Sequence, residues 1–145
     1  MVFALTNIKT VEAQEIQQAW LSRDRHPQLA AALERAAAEE HHFLLQQIAR
    51  LGRQTAHERL AHLLLELNFR LGQRGLAAGG ALDMPLTQEN LADALGLSVV
   101  HVNRTLQQMR RENVIELARG RLRLLDIAAL EKVAEFLLPP GKGPG

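Results

Sequence analysis

Val100, Arg104, Gln107 and Arg111 recur at i, i+4, i+7 and i+11, the spacing of one face of an α-helix. His101 and Asn103 flank that face near its start. Long polar groups on one helix face suit base edges in the DNA major groove. Arg104 matches the O6 and N7 acceptors of guanine, and Val100 matches the methyl group of thymine. Asn103 and His101 are placed to reach an adenine or a phosphate. The other side of the same helix carries Val102, Leu106 and Met109, within about 60° of one another. These are expected to pack on Leu91, Ala92 and Leu95 of a preceding helix. Thr87, Gln88 and Ser98 fall at predicted helix starts, where free backbone N–H groups and hydroxyls suit phosphate oxygens.

The elements that must hold these residues follow from turn and cap signals. Thr87 caps a helix over Gln88 to Leu95, Gly96 supplies the left-handed turn, and Ser98 caps a second helix from Val99 to about Glu112. Two short apolar runs, Val114 to Leu117 and Leu122 to Leu125, flank Arg119-Gly120-Arg121. They read as a β-hairpin with a basic tip, and Arg121 joins the DNA-contacting set. Between Val99 and Arg123 six arginines face two acids, a local balance of +4 against +1 for the whole chain. Phosphate binding needs that concentration. Asp126 caps a last helix to about Leu138, and 139–145 reads as a disordered Pro/Gly tail.

Upstream, Pro27 opens a helix running to about Leu51. Its apolar positions Leu29, Leu33, Ala37, Leu44, Ile48 and Leu51 form a seam that Glu40 interrupts. Such a helix is roughly 36 Å long, more than a small domain needs, so a second copy of the chain is the expected partner. Thr55 to Glu58 fits a capping box that starts a helix through Leu60, Leu63, Leu64, Leu67 and Leu71. Gly72, Gly75, Gly79 and Gly80 then read as a flexible connection. Val2, Phe3, Leu5, Ile8 and Val11 suggest one or two strands within Met1 to Gln14, and Glu15 to Arg23 a short helix. The fold class is mainly α: a long dimerisation helix plus a C-terminal winged helix-turn-helix with a small β-hairpin wing.

Other chemistries find little support. The chain lacks cysteine, which excludes disulfides and thiolate metal sites. No run approaches the ~20 apolar residues of a membrane span, and the start lacks a signal peptide's basic and apolar regions. A soluble, cytoplasmic protein without cofactor or metal is expected. His57 and His62 imitate a zinc-protease helix, but i, i+5 spacing sets them about 140° apart. Glu39-Glu40-His41-His42 reads as solvated residues or polar breaks in the seam. Trp20 is expected to pack rather than bind a ligand. No nucleophile–base pair or phosphate loop is visible, so no enzyme is expected.

The run LTQENLADALGLSVVHVNRTLQQMRRENVI, with the following IELARGRLRLLDIAAL and the upstream GRQTAHERLAHLLLEL, resembles the Crp/Fnr superfamily of bacterial transcription factors. The resemblance extends over about Phe3 to Leu138. It implies a homodimer whose two recognition helices bind a palindromic site on double-stranded DNA, with RNA polymerase as an optional further partner. Arg104 matches the family's recognition-helix arginine, Ser98 the helix cap, and Thr87 with Gln88 the phosphate-contacting helix start. Val99 and Val100 stand where some members carry base-reading Arg and Glu, so the familiar half-site is not implied. Residues 1–26 are similar to the end of the sensor roll plus a short helix, 27–52 to the dimerisation helix, and 53–138 to the DNA-binding domain. Cyclic-nucleotide motifs and cluster cysteines are absent, so a regulator without an intact effector pocket is expected. The competing expectation is an interaction module that pairs with, and modulates, a full-length relative.

Overall fold

The computed structural model describes residues 12–78, 81–83, 86–118 and 120–140, apart from the side chains of Ala19, Ala49, Leu51 and Ala78. The strand reading of Met1 to Gln14 lies outside these residues up to position 11, and its last three residues instead start a helix, Glu12 at the N-cap and Ala13 and Gln14 in the first turn. Among the described residues six helices and four short strands follow in the order α1 (Ala13–Leu21), α2 (Pro27–Leu51), α3 (Ala56–Gly72), β1 (Ala77–Ala78), β2 (Ala81–Asp83), α4 (Gln88–Leu95), α5 (Val99–Arg111), β3 (Ile115–Ala118), β4 (Arg121–Leu124) and α6 (Ile127–Ala134). Two compact units are present. Arg50–Leu137 form one, and the described residues up to 49 with 138–140 belong to the other.

In the first part of the chain, Arg23 ties the α1–α2 turn to α2 through Glu34 at 2.8 Å. The same guanidinium lies 5.6 Å from the Trp20 ring. Helix α2 starts and ends as its sequence predicts. Ala30 and Phe43 are buried, whereas Leu29, Leu44 and Ile48 are 47%, 55% and 67% exposed. Leu33 is half-buried and Ala37 exposed. Together the seam residues with described side chains span an arc of about 100° on the helix.

The larger unit is built on α3. Its capping box forms as the sequence predicts: Thr55 Oγ1 accepts from the Glu58 N–H, and the Thr55 N–H donates to Glu58 Oε2 at 2.6 Å. Leu60, Ala61, Leu64 and Leu65 then face a core shared with Leu82, Leu91, Leu95, Val102, Leu106, Met109, Ile115, Leu122, Leu124 and Leu130. Each fully buried leucine contributes about 1.5–3 kcal/mol of burial. Burial pushes the Arg50 guanidinium below its ordinary range, and the Glu66 carboxylate 3.8 Å away opposes that shift.

Three sequence expectations need correction. The glycine-rich connection carries β1 and β2, which join the wing in one antiparallel sheet of order β1-β2-β4-β3. Leu82 pairs with Leu122 and both are buried, so tertiary pairing overrides the weak strand propensity of Ala-Leu-Asp. Helix α6 stops at Ala134 rather than near Leu138. Glu135 takes a left-handed turn (φ 48°), and the Phe136 N–H bonds back to the Glu131 carbonyl. That turn lets Phe136 meet the buried His62 ring edge-on at 4.8 Å. Pro139, assigned to the tail by sequence, is buried, while 141–145 lies outside the described residues.

Candidate nucleic-acid interface

Helices α4 and α5 form the two-helix unit predicted for Leu86 to Ile115. Thr87 begins it with a second capping box, its hydroxyl accepting from the Asn90 N–H and its own N–H donating to Asn90 Oδ1. Gly96 ends α4 at φ 63°, and the Leu97 N–H returns to the Ala92 carbonyl at 2.9 Å. This six-to-one bond gives the Ala92 carbonyl a second donor beside the Gly96 N–H and turns Leu97 onto the core. Arg59, which the sequence reading passed over, donates from Nε to the Gln54 carbonyl and from a terminal nitrogen to the Leu95 carbonyl. It thereby fixes the end of α4 to the start of α3.

Ser98 caps α5, accepting from the His101 N–H at 3.2 Å. Its hydroxyl also lies 3.1 Å from His101 Nδ1. A neutral His101 accepting there carries its proton on Nε2, as a donor. The packing face is the one the helical spacing predicts. Val102, Leu106 and Met109 are buried against Leu91, Ala92 and Leu95, and Thr105 joins them with its hydroxyl donating to the His101 carbonyl. Asn113 closes α5 in a left-handed turn that brings the Val114 N–H to the Met109 carbonyl.

The other face is open. Val100 is 78% exposed, and His101, Arg104, Gln107 and Arg111 are exposed. Gln88, Val99, Val100, Asn103, Arg104 and Gln107 line one shallow depression, and Gln107, Arg110 and Arg111 line a second. Val99, Val100 and Arg104 are therefore brought together with the first residue of α4. Asn103 donates to Gln88 Oε1 at 2.9 Å, and Gln107 donates to Asn103 Oδ1 at 2.8 Å. These bonds were not legible in the sequence.

Arg121 is not the free wing cation that the sequence suggests. Its Nε donates to Asp83 Oδ1 at 2.8 Å, opposite it in the β2–β4 register. Arg123 stands opposite Glu116 in the β3–β4 register. Asp83 escaped notice because its strand did. Exposed pairs of this kind are worth only ~0–1 kcal/mol, so a phosphate can compete for Arg121. Arg119 lies outside the described residues, while Gly120 turns the hairpin at φ 74°. Beside Thr87, Glu89 adds a negative charge. Its carboxyl is held below the usual range by hydrogen bonds from its own backbone and from the Thr87 hydroxyl.

His57 and His62 occupy separate settings. His57 Nε2 is 3.6 Å from Glu112 Oε2 at the end of α5, and His62 is buried by Phe136. Among the described residues no three His, Asp or Glu side chains gather as a metal site would require.

This arrangement coincides with a family match. Residues 58–133 match the Crp-like helix-turn-helix domain. The chain belongs to the Crp/Fnr family. The nitrogen fixation regulation protein FixK of Bradyrhizobium diazoefficiens is 33% identical over 114 residues, 77% of this chain and 46% of that protein. The transcriptional activator protein FnrA of Stutzerimonas stutzeri is 30% identical over 104 residues, 72% of this chain and 42% of that protein. The solved structure of FixK2 from Bradyrhizobium japonicum shares the fold, with a TM-score of 0.67 and 27% identity over 85% of this chain and 59% of that one. The chain spans about half the length of the curated relatives it matches. Among the described residues no helix is long and apolar enough to cross a membrane.

Proposed function

We propose that this chain is a sequence-specific DNA-binding transcription regulator that acts as a homodimer on a palindromic site. The observation that carries the reading is the exposed Val100, Arg104, Gln107 and Arg111 face of α5, locked by a buried opposite face within a Crp-like domain. Residues 53–138 serve as the DNA-binding domain. Thr87, Gln88 and Ser98 meet phosphates, Val99, Val100, His101, Asn103, Arg104, Gln107 and Arg111 line the groove, and Arg121 follows the backbone from the wing. Residues 27–52 are the dimerisation helix. Leu29, Leu44 and Ile48 support that assignment, because large apolar side chains this exposed along one arc gain from a facing helix. Leu33, Ala37 and Leu51 complete the seam. No effector pocket is assigned within the described residues, and the expected setting is the cytoplasm.

Selection of bound DNA from a random library, at stated salt, tests the proposal. The expected product is an inverted repeat with half-site centres about ten base pairs, or a multiple, apart. Arg104→Ala is expected to cost ~1–3 kcal/mol at one base position and to relax preference there. Unchanged affinity and preference in that variant would refute the assignment. Sedimentation of the same protein is expected to show a dimer. A monomer that binds DNA only when mixed with a full-length relative would favour the interaction-module reading instead.

A further inference from the structure

Three amides form a hydrogen-bonded ladder across the α4–α5 surface. Gln107 Nε2 donates to Asn103 Oδ1 at 2.8 Å, and Asn103 Nδ2 donates to Gln88 Oε1 at 2.9 Å. The ladder has a direction. Every bond runs from an amide nitrogen toward α4, so both ends are chemically defined. At the α4 end the group without a partner among the described residues is the Gln88 amide nitrogen, a donor. At the α5 end it is Gln107 Oε1, an acceptor with no partner among the described residues. Asn103 is half-buried between its two partners, whereas Gln107 is exposed.

We propose that Asn103 is a positioning residue rather than a base reader, and that it holds Gln107 so that its carbonyl oxygen and second N–H select adenine. The inference rests on the DNA-binding reading and sharpens it at one base. An unrestrained glutamine swaps its carbonyl and amino ends freely, and so accepts either donor or acceptor edges. Committing one Nε2 hydrogen to Asn103 removes that freedom. What remains is one acceptor and one donor side by side, the complement of adenine N6–H and N7. Guanine offers two acceptors, O6 and N7, and leaves Gln107 Oε1 facing another oxygen. The direction of the ladder also agrees with phosphate at its far end. An anion beside Gln88 calls for the amide nitrogen there, which turns Oε1 toward Asn103 and keeps the ladder running the same way. A backbone contact at α4 and a base choice at α5 are thereby linked through Asn103.

The test is DNA selection with the full chain and three variants. Gln107→Ala identifies the base position that Gln107 reads, which in the wild type is expected to favour adenine by about tenfold. Asn103→Ala is expected to lower that discrimination to about threefold or less, while the base assigned to Arg104 keeps its preference. Asn103→Asp retains an acceptor for Gln107 Nε2. It is expected to keep the adenine preference while weakening binding to all sequences through its charge. The side chains of both positions lie outside the buried core, and matched melting curves confirm that the variants fold. The ladder is refuted if Asn103→Ala leaves the adenine preference intact, if Asn103→Ala instead erases preference at a base of its own, or if the wild type prefers guanine at the Gln107 position. A wild type with no sequence preference at all would refute the DNA-reading assignment itself, a separate and recognisable outcome.

Discussion

Gly96 and Gly72 make a paired test, because the same substitution should change stability in opposite directions. Gly96 ends α4 in the left-handed region, at φ 63° and ψ 39°, and a Cβ added there would meet nothing within 4 Å. Alanine therefore adds backbone strain and no clash. A left-handed L-residue costs about 1–2 kcal/mol. The loss of unfolded-state freedom returns about 0.4–1 kcal/mol. Gly96→Ala should thus destabilise the unit by about 1 kcal/mol, which for a domain of 60–100 residues lowers Tm by about 4–8 °C. Gly72 is the last residue of α3, has no positive φ, and also faces open space. Gly72→Ala should stabilise by about 0.4–1 kcal/mol. Urea titration followed by helical circular dichroism is the right assay. The only tryptophan, Trp20, lies in α1, outside this unit. A loss beyond about 3 kcal/mol for Gly96→Ala, or shifts of the same sign at both sites, would refute the reasoning, since only a clash or a different turn produces them.

Leu91 is 1% exposed beneath α5, and Leu91→Ala should cost about 2–5 kcal/mol and weaken DNA binding through partial unfolding. Leu44→Ala, at a position 55% exposed in the isolated chain, should shift monomer stability by no more than about 0.5 kcal/mol in a dilute urea titration. Asp83→Asn frees Arg121 from its 2.8 Å pair, so DNA affinity should rise at low salt and the salt slope should steepen by about one contact. Filter binding across a salt series reads both. Glu89 is held below its ordinary 4.5 when folded, so its contribution is present above that value and disappears as pH falls through the folded pKa. The drop in urea midpoint from pH 5.5 to pH 3.5, values chosen about one unit either side of a carboxylate pKa, should be smaller in Glu89→Gln.

Helices were legible where local chemistry decides them. Thr55, Thr87, Ser98 and Asp126 all cap with their own side chains, and the helical period of Val102, Leu106 and Met109 identified the packing face. What escaped was chemistry supplied from far along the chain. Ala77–Ala78 and Ala81–Asp83 have too little strand propensity to announce themselves, and become sheet because β4 offers a ladder to β2 and β2 offers one to β1. Asp83 and its hold on Arg121 were lost with it. The early end of α6 was hidden for the same reason. Glutamate seldom takes a left-handed turn, and only the site for Phe136 against His62 makes that turn worthwhile. At the interface the identities and spacing of the exposed residues could be read, but the Gln88–Asn103–Gln107 bonds depend on how two helices cross.

Strands β2 and β4 hydrogen-bond to each other although α4, α5 and β3 lie between them in the chain. The whole helix-turn-helix is thus a loop whose mouth is held shut by a ladder with Leu82 and Leu122 buried within it. Neither that clasp nor the core draws on Val100, Arg104, Gln107 or Arg111. Mutations at these four positions leave the framework alone, so the surface is free to drift toward new targets while selection for folding acts on other residues. Gene duplicates of such a protein can diverge in what they recognise within a few single-residue steps, each passing through a folded intermediate.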